Sequence, residues 1–279
     1  MAPSMRVYPL GHPVEISSDS AEALALVSLH WPAQAERFDE APLRFQLEVL
    51  AQGSIAPLVF DAGADGFSVS CGDAASSCFN IVQRTGTLRA TPQALMQDSG
   101  AFLDATVLTA LDWTFFIGLH AACVMRGGKS VLLCGDAGAG KSTLAYACAK
   151  AGWTYVSDNS LHWARAPHDA MISGSPSIRL RDDVAELLGE TTPVVPSERG
   201  LRSAGSAPPG PCVFLQRRPG PAVLREYCAQ EALEYFPRFD TRPDRDYAQQ
   251  RYRQLLSHGV WQLQYQHSSD AVDCLETLL

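Results

Sequence analysis

The chain has 279 residues, of which 46% are hydrophobic and 19% are charged, with a formal net charge of −8 at pH 7. With about 150 residues as a typical domain size, this length predicts one large domain or a small one joined to a larger one. The apolar fraction excludes wholesale disorder, and the acidic balance argues against nucleic-acid or membrane binding through a basic surface.

Two features bear on the cellular compartment. Residues 1–16 lack the apolar stretch of a secretory signal, and the apolar segment 107–125 is interrupted by Asp112, Gly118 and His120. The eight cysteines form no C-x-x-C pair and no zinc-like spacing with the seven histidines. We therefore expect buried thiols in a cytoplasmic protein with no membrane span.

Alternating apolar residues predict three short strands within residues 1–98. The alternating residues are Phe45, Leu47 and Val49 in the first strand and Phe67, Val69 and Cys71 in the second, and the third strand is expected at 79–82. Turns that contain glycine separate these segments. Residues 1–98 are therefore predicted to form a β-rich N-terminal subdomain built on a small antiparallel sheet.

Helices and strands are both expected from residue 99 to residue 279, which predicts an α/β domain. The first elements are a helix from 102 to near Gly118, strands at 119–124 and 131–134, a helix at 141–151 and a strand at 153–157. The Gly127-Gly128 dipeptide favours a hairpin between the first two strands. The later elements are a helix at 181–188, a long loop at 191–211, a buried strand at 213–215, helices at 230–236 and 246–256, an edge strand at 260–266 and a helix at 270–279.

One segment matches the nucleotide-binding pattern G-x-x-x-x-G-K-[ST] at every fixed position: Gly135-Asp136-Ala137-Gly138-Ala139-Gly140-Lys141-Ser142. It lies between a predicted strand and a predicted helix, as the pattern requires. Glycines let successive backbone N–H groups converge on phosphate oxygens, and the start of a helix adds a positive dipole. We expect residues 135–143, including Thr143, to bind ATP, with Lys141 at the β- and γ-phosphates and Ser142 on Mg²⁺.

Asp158 follows the apolar run 153–156, at the end of the strand after this helix. Ligands of open α/β sheets lie at the carboxyl ends of strands, so Asp158 is expected to hold Mg²⁺ or to accept a proton from an attacking hydroxyl. The alternative is a helix-capping aspartate. His120, at the start of a predicted strand leading to the loop, is either part of the site or structural, and Asp136 either orients the loop or contacts Mg²⁺.

Arginines cluster after the loop, and the cluster includes Arg217 and Arg218. Its candidate substrate-binding residues are Arg179, Arg181, Arg199 and Arg202. The first two alternate and so share a face, and the other two lie in the loop at 191–211, of a kind that closes over substrates. Guanidinium groups bind carboxylates, which favours a peptide or protein acceptor. The alternative is that these arginines are solvated surface charges.

The stretch from Leu119 to Asn159 resembles the HPr kinase/phosphorylase family and its shorter relatives, including kinases of the lasso-peptide type. The matching residues are His120, Gly135, Asp136, Gly138, Gly140, Lys141, Ser142 and Asp158. The resemblance implies a P-loop kinase domain of the type shared with phosphoenolpyruvate carboxykinase. It also implies transfer of the ATP γ-phosphoryl group to a serine hydroxyl.

The sequence departs from the family pattern at three positions. Ala137 replaces the serine of the loop, Asn159 replaces a second aspartate, and Thr143 replaces a glutamate. The leading hypothesis is an ATP- and Mg²⁺-dependent kinase with Asp158, His120 and Lys141 as catalytic residues and a peptide or protein hydroxyl as acceptor. The alternatives are a nucleotide-binding module without transferase activity, which Asn159 suggests, and a kinase of a small-molecule hydroxyl. A homo-oligomer is compatible with the sequence.

Overall fold

The computed structural model of the chain describes residues 3–31, 35–96, 101–236 and 244–279. These residues form a mixed α/β structure that contains sheets of seven, six and four strands. Contacts divide these described residues into a first unit, within 3–115 and at 244–245, and a second unit, 116–236 with 246–279. The domain boundary predicted between residues 98 and 99 lies outside the described residues and stays a prediction.

The first unit is built on the seven-stranded sheet, in the order β1-β2-β3-β7-β6-β5-β4. Its strands are β1 (Ser4–Val7), β2 (Val14–Ser18), β3 (Leu43–Val49), β4 (Val59–Gly63), β5 (Gly66–Cys71), β6 (Ala75–Asn80) and β7 (Thr85–Ala90). The prediction of an antiparallel sheet is wrong at its centre, because β3 pairs in parallel with both β2 and β7. Helix α1 (Ala21–His30) lies between β2 and β3 in the chain and provides the long crossover that a parallel pair needs.

Two further helices of this unit are α2 (Pro92–Met96) and α3 (Ala101–Thr114), and α3 packs on β5 and β6. The inward-facing residues Phe45, Phe67 and Phe79 pack ring against ring in the core. The helix predicted to continue to near Gly118 ends four residues earlier, because Gly118 belongs to the next strand, β8 (Phe116–Leu119). A continuous apolar run does not by itself show where a helix gives way to a buried strand.

The second unit contains the six-stranded sheet, in the order β11-β9-β10-β15-β17-β16. Its strands are β9 (Ala122–Arg126), β10 (Lys129–Cys134), β11 (Thr154–Ser157), β15 (Cys212–Arg217), β16 (Val223–Glu226) and β17 (Val260–Tyr265). Strands β10, β15 and β17 are parallel, whereas β9 is antiparallel to both of its neighbours. The predicted edge strand, β17, lies inside the sheet, because β16, which was not predicted, pairs with its outer side.

The predicted hairpin between β9 and β10 is confirmed. Gly127 and Gly128 have φ values of 59° and 80°, the left-handed backbone that a tight two-residue turn between antiparallel strands requires. The four-stranded sheet of the same unit has the order β14-β13-β12-β8. Its remaining strands are β12 (Leu161–Ala164), β13 (Met171–Ser173) and β14 (Ser206–Ala207).

The helices of the second unit are α4 (Lys141–Lys150), α5 (Asp182–Leu188), α6 (Ala229–Tyr235), α7 (Arg245–Leu256), whose first residue belongs to the first unit, and α8 (Ser268–Glu276). The five helices predicted in this region are confirmed, with bounds shifted by a few residues at most. Helices α4 and α8 share one apolar core with β10, β15 and β17. Helices α6 and α7 contribute to a second core with β12 and β15. The segment predicted as a long loop contains a short 3-10 turn, Pro196–Arg199, and strand β14.

The cysteine prediction is only half correct. All eight cysteines are free, but only Cys123, Cys134, Cys148 and Cys212 are buried. Cys78 is exposed because its neighbours on β6 point inward, and Cys228 is exposed just before α6. Within the described residues, none of the helices combines the length and apolar character needed to cross a bilayer.

Candidate active site

A glycine-rich loop, residues 135–140, connects the end of β10 to the start of α4. Gly135, Gly138 and Gly140 have φ values of +142°, +84° and +97°, which residues with a β-carbon rarely adopt. A β-carbon at Gly140 would come within 2.5 Å of the Tyr265 hydroxyl. The loop therefore depends on glycine for its path, and this path directs the N-terminal end of α4 toward the space in front of the loop, as a phosphate site requires.

Lys141, the first residue of α4, folds back across this loop. Its side chain is only 6% exposed, and its Nζ donates to the backbone oxygens of Gly135 at 2.6 Å and Asp136 at 3.2 Å. The same Nζ lies 3.1 Å from Nε2 of His120. Burial lowers the pKa of Lys141, while Asp158 and Asp136 act in the opposite direction. The ammonium group is thus held at the loop by carbonyl dipoles and is positioned for an anion in front of it.

Asp158 lies directly after β11 and is only 3% exposed. Ser142 Oγ donates to Oδ1 of Asp158 at 2.9 Å, and the backbone N–H of Arg179 donates to Oδ2 at 3.0 Å. Burial raises the pKa of Asp158, and these two hydrogen bonds with the charge of Lys141 partly offset the increase. The carboxylate and the Ser142 hydroxyl therefore form an oxygen pair at the start of α4.

His120 lies between β8 and β9, so the expectation that it begins a strand is wrong by two residues. Strand β9 begins at Ala122, since β8 occupies the first part of the apolar run. Burial and the charge of Lys141 lower the pKa of His120, whereas a hydrogen bond with the Asn159 backbone raises it. A neutral imidazole fits this position, because it can accept a hydrogen bond from Lys141. Asn159 itself has a positive φ of 65°.

These groups line one cleft of about 260 Å³, here called the loop cleft. The residues that line it are His120, Ala137, Gly138, Gly140, Lys141, Ser142, Thr143, Asp158, Asn159, Arg179, Arg181, Val184 and Arg217. Among the described residues, Asp158 is the only acidic side chain on its surface. The structure thus brings together most of the residues that the sequence singled out, although Gly135, Asp136 and Ala139 support the loop without lining the cleft.

The four arginines predicted for substrate binding separate into two pairs. Arg179 and Arg181 line the cleft, with Arg181 paired to Asp183 at 2.7 Å. Arg199 instead lies 2.9 Å from Glu190, which also accepts a hydrogen bond from Tyr146. Arg202 is exposed, and its backbone oxygen accepts from Tyr155. These last two arginines lie outside the loop cleft, and their role stays a prediction.

Sequence reasoning placed Arg217 in the arginine cluster but did not assign it to the site. It ends β15, a strand parallel to β10, and both strands reach the same edge of the sheet. Residues at the carboxyl ends of parallel strands meet at a ligand crevice, and this rule could have assigned Arg217 to the site. The rule applies only if β15 is known to pair with β10, and the sequence does not reveal this pairing.

Two tyrosines hold the loop from outside the cleft. The Tyr235 hydroxyl lies 2.8 Å from the backbone oxygen of Gly135 and 2.9 Å from that of His120. The Tyr265 hydroxyl lies 3.3 Å from the backbone oxygen of Ala139. Burial raises the pKa of Tyr235 to about 12, so its hydroxyl stays protonated and acts as a donor at neutral pH. The two ends of the loop are therefore fixed by side chains that the motif does not contain.

Tyr235→Phe is expected to loosen the loop without removing any group that lines the cleft. A lost hydrogen bond of about 1 kcal/mol should lower the melting temperature by about 2–4 °C. Binding of inorganic tripolyphosphate should weaken as well, because the Gly135 carbonyl is then held by Lys141 alone. Tyr227→Phe is the matched control, since Tyr227 packs on Phe214 at the same ring distance, 5.3 Å, as Tyr235. Equal effects of the two variants on tripolyphosphate binding would contradict a positioning role for Tyr235.

The oxygen pair of Ser142 and Asp158 fits Mg²⁺ that arrives with a phosphate ligand. Within the described ranges there is no group of three or more His, Cys, Asp and Glu side chains placed to hold a metal. Mg²⁺ is usually bound by one or two carboxylates, with phosphate oxygens and water completing its shell. A single carboxylate beside a hydroxyl, at the start of a helix that faces an anion site, matches that requirement.

Comparison with known proteins gives limited information. No family model and no curated protein matches the chain. Among solved structures, the chain is similar to the Hpr(Ser) kinase/phosphatase from Coxiella burnetii, with a TM-score of 0.34 and 15% sequence identity. The match covers 58% of this chain and 92% of that chain. It is a distant likeness of fold and gives no information on function.

Proposed function

We propose that the chain is an ATP- and Mg²⁺-dependent kinase, a relative of the HPr kinase family, that phosphorylates a serine- or threonine-type hydroxyl of a peptide or protein. One observation supports this more than any other. A single cleft is lined by residues of the G-x-x-x-x-G-K-[ST] loop, by the lysine of this motif and by the Ser142–Asp158 pair. His120 lines the same cleft and contacts the lysine. A glycine-rich turn with a purely structural role has no need for a buried lysine and a buried aspartate at its mouth.

The local geometry supports phosphate binding at this cleft. The backbone N–H groups at the start of α4 and the Lys141 ammonium face the same space, so the β- and γ-phosphates of ATP bind there. Ser142 and Asp158 would hold Mg²⁺, and the bound ion would supply positive charge to the phosphate oxygens. The carbonyl oxygens of Gly135 and Asp136 keep Lys141 at the loop before ATP arrives.

The transfer step uses Asp158 as the proton acceptor. The hydroxyl oxygen of the acceptor forms a bond to the γ-phosphorus, and the bond from that phosphorus to the β–γ bridging oxygen breaks. The electron pair of the broken bond leaves with ADP, and the hydroxyl proton passes to Asp158. Burial raises the pKa of Asp158, which makes the carboxylate a stronger base than an exposed one. Neutral His120 contacts Lys141 and assists by holding its ammonium group in place.

The charge of the cleft favours an anionic acceptor. Arg179, Arg181 and Arg217 line it together with Lys141, against one carboxylate, in a chain whose net charge is −8. After the phosphates and Mg²⁺ are bound, arginines at the rim remain to bind a carboxylate of the acceptor. A peptide or protein that presents a hydroxyl near an acidic side chain or a C-terminus meets this requirement, and precursors of ribosomal natural products are one such class.

A labelled-phosphate assay tests the proposal. Purified protein is incubated with γ-³²P-ATP, Mg²⁺ and a serine- and threonine-containing peptide library with acidic flanks. We expect label on hydroxyl groups, sensitive to EDTA and absent from a library in which alanine replaces serine and threonine. Release of free phosphate without any labelled peptide would contradict the kinase assignment. Faster labelling of a neutral small molecule than of any peptide would favour the small-molecule alternative.

A nucleotide-binding module without transferase activity is the second candidate, and one observation favours it. Asn159 offers no carboxylate, and both oxygens of Asp158 already accept hydrogen bonds. The variant Asn159→Asp separates the two functions. A kinase should keep or increase phosphoryl transfer in this variant, whereas a binding module should bind ATP and transfer nothing in either form.

A further inference from the structure

A second concave surface lies along helix α4, next to the loop cleft. This groove has a volume of about 490 Å³ and runs between α4, α5 and α8. The residues that line it are Thr143, Tyr146, Ala147, Lys150, Ala151, Leu188, Ser268, Ser269, Val272 and Asp273. Thr143 belongs to the predicted ATP-binding segment 135–143, and none of the other residues has a role in the phosphoryl-transfer step described above. Its volume is in the range that small-molecule sites occupy, about 300–1,000 Å³.

The groove continues from the loop cleft. Thr143 lines both, and it follows Ser142 directly in α4. On α5, Val184 lines the cleft and Leu188, one helical turn further, lines the groove. On α4 the groove extends from Thr143 to Lys150, which is about 10 Å at 1.5 Å per residue. The nucleoside of a triphosphate extends about this far from its α-phosphate.

The direction also agrees with the phosphate order. The γ-phosphate belongs at Lys141 and Asp158, where transfer takes place, so the α-phosphate points away from Asp158 along the start of α4. Thr143 is the next residue in that direction, and the groove opens beyond it.

The chemistry of the groove suits a nucleoside better than an anion. Its walls include the side chains of Ala147, Leu188 and Val272, and a flat base can bury its faces against them. Lys150 lies with its Nζ 6.0 Å from the centre of the Tyr146 ring, and Asp273 provides an opposite charge at the rim. Ser268 and Ser269 add hydroxyl groups that can bond to ribose or to the edge of a base. The mixed charge disfavours a second phosphate site.

We propose that this groove binds the nucleoside of the triphosphate whose phosphates occupy the loop cleft. The inference rests on the proposed nucleotide binding, since it assigns the other end of the same ligand. It identifies Leu188 and Ala147 as residues that contact the nucleoside and not the phosphates.

Leu188→Asp tests the inference by placing a charge where the base packs. Leu187→Asp is the matched control, because Leu187 is the adjacent leucine of the same helix, is 84% exposed and does not line the groove, whereas Leu188 is 43% exposed. Binding of Mg²⁺–ATP and of inorganic tripolyphosphate is measured by calorimetry for each protein. We expect Leu188→Asp to weaken ATP binding about tenfold or more, a change of at least about 1.4 kcal/mol, with tripolyphosphate binding unchanged. Leu187→Asp should change neither.

Ala147→Phe fills the groove from the α4 side and provides an independent check. It should reduce the preference for ATP over tripolyphosphate in the same way, and circular dichroism verifies that each variant is folded. Unchanged ATP binding in both groove variants would overturn the inference, as would equal weakening of ATP and tripolyphosphate. Weakened binding of an acceptor peptide with unchanged ATP binding would also overturn it, in favour of a peptide groove. Wild-type protein that binds neither ligand would overturn the proposed function itself, and this inference with it.

Discussion

Asp158→Asn is expected to lower the turnover of phosphoryl transfer by about two orders of magnitude or more, the usual scale for loss of a general base. The fold should persist, because the amide oxygen can still accept from the Arg179 backbone N–H. The amide N–H₂ can donate to the Ser142 hydroxyl, which rotates to accept it. Steady-state kinetics with the labelled peptide measure the loss, and thermal unfolding verifies that the variant is folded.

The pH profile provides a second readout of the same change. Only the ionised carboxylate accepts a proton, so the proposed activity is expected to rise as pH increases through the pKa of Asp158. Burial raises this pKa above its ordinary value of 3.8, so the rise in kcat/KM should occur above the range of exposed carboxylates. Asp182→Asn, which removes an exposed carboxylate from α5, should leave both turnover and profile unchanged. Near-normal turnover of Asp158→Asn would mean that another group activates the hydroxyl.

Lys141→Ala is expected to reduce kcat/KM for ATP by about two to three orders of magnitude, the scale for removal of one preorganised electrostatic donor. Lys141 is the cation held at the glycine-rich loop itself, while the arginines of the cleft lie on other segments. The loop should keep its path in the variant, because the Tyr235 hydroxyl still bonds to the Gly135 carbonyl. Calorimetry with Mg²⁺–ATP separates the loss of binding from the loss of turnover.

His120 reports on this change independently of activity. The charge of Lys141 lowers the pKa of His120, so Lys141→Ala should raise that pKa, as followed by NMR titration of the imidazole. Lys129→Ala is the control, because Lys129 lies at the start of β10, away from the cleft, and contacts the backbone of Leu279. Unchanged ATP binding together with unchanged turnover in Lys141→Ala would exclude the loop as the phosphate site.

Local patterns predicted the elements around the loop well. The strand before Gly135 and the helix after Gly140 follow from apolar periodicity and from a motif whose residue types are dictated by backbone chemistry. Asp158 could be identified as a candidate site residue because the end of a strand is recognised from neighbouring residues alone. These interpretations needed only residues that are close in sequence.

Features that depend on contacts between residues far apart in the sequence could not be predicted. The parallel pairing of β3 with β2 and β7 depends on which strands meet in the folded sheet. The sequence of α1 lacks a clear helical repeat of apolar and polar residues, so this helix is not recognised from the sequence. Arg217 and Tyr235 come to the loop through β15 and α6, about 80 to 100 residues away along the chain. The ion pair of Arg199 with Glu190 likewise depends on a neighbour that the sequence does not reveal.

The antiparallel strand β9 lies between β10 and β11 and determines the spacing of the candidate site. Since β9 runs opposite to both, β10 and β11 point the same way, and the glycine-rich loop and Asp158 emerge at one edge of the sheet. Two strand spacings of about 4.8 Å separate those two ends by about 10 Å. This span is fixed by the repeat of backbone hydrogen bonds and not by any side chain of β9. Substitutions in the core of this strand can therefore alter how firmly the sheet is packed while leaving the distance between the glycine-rich loop and Asp158 unchanged.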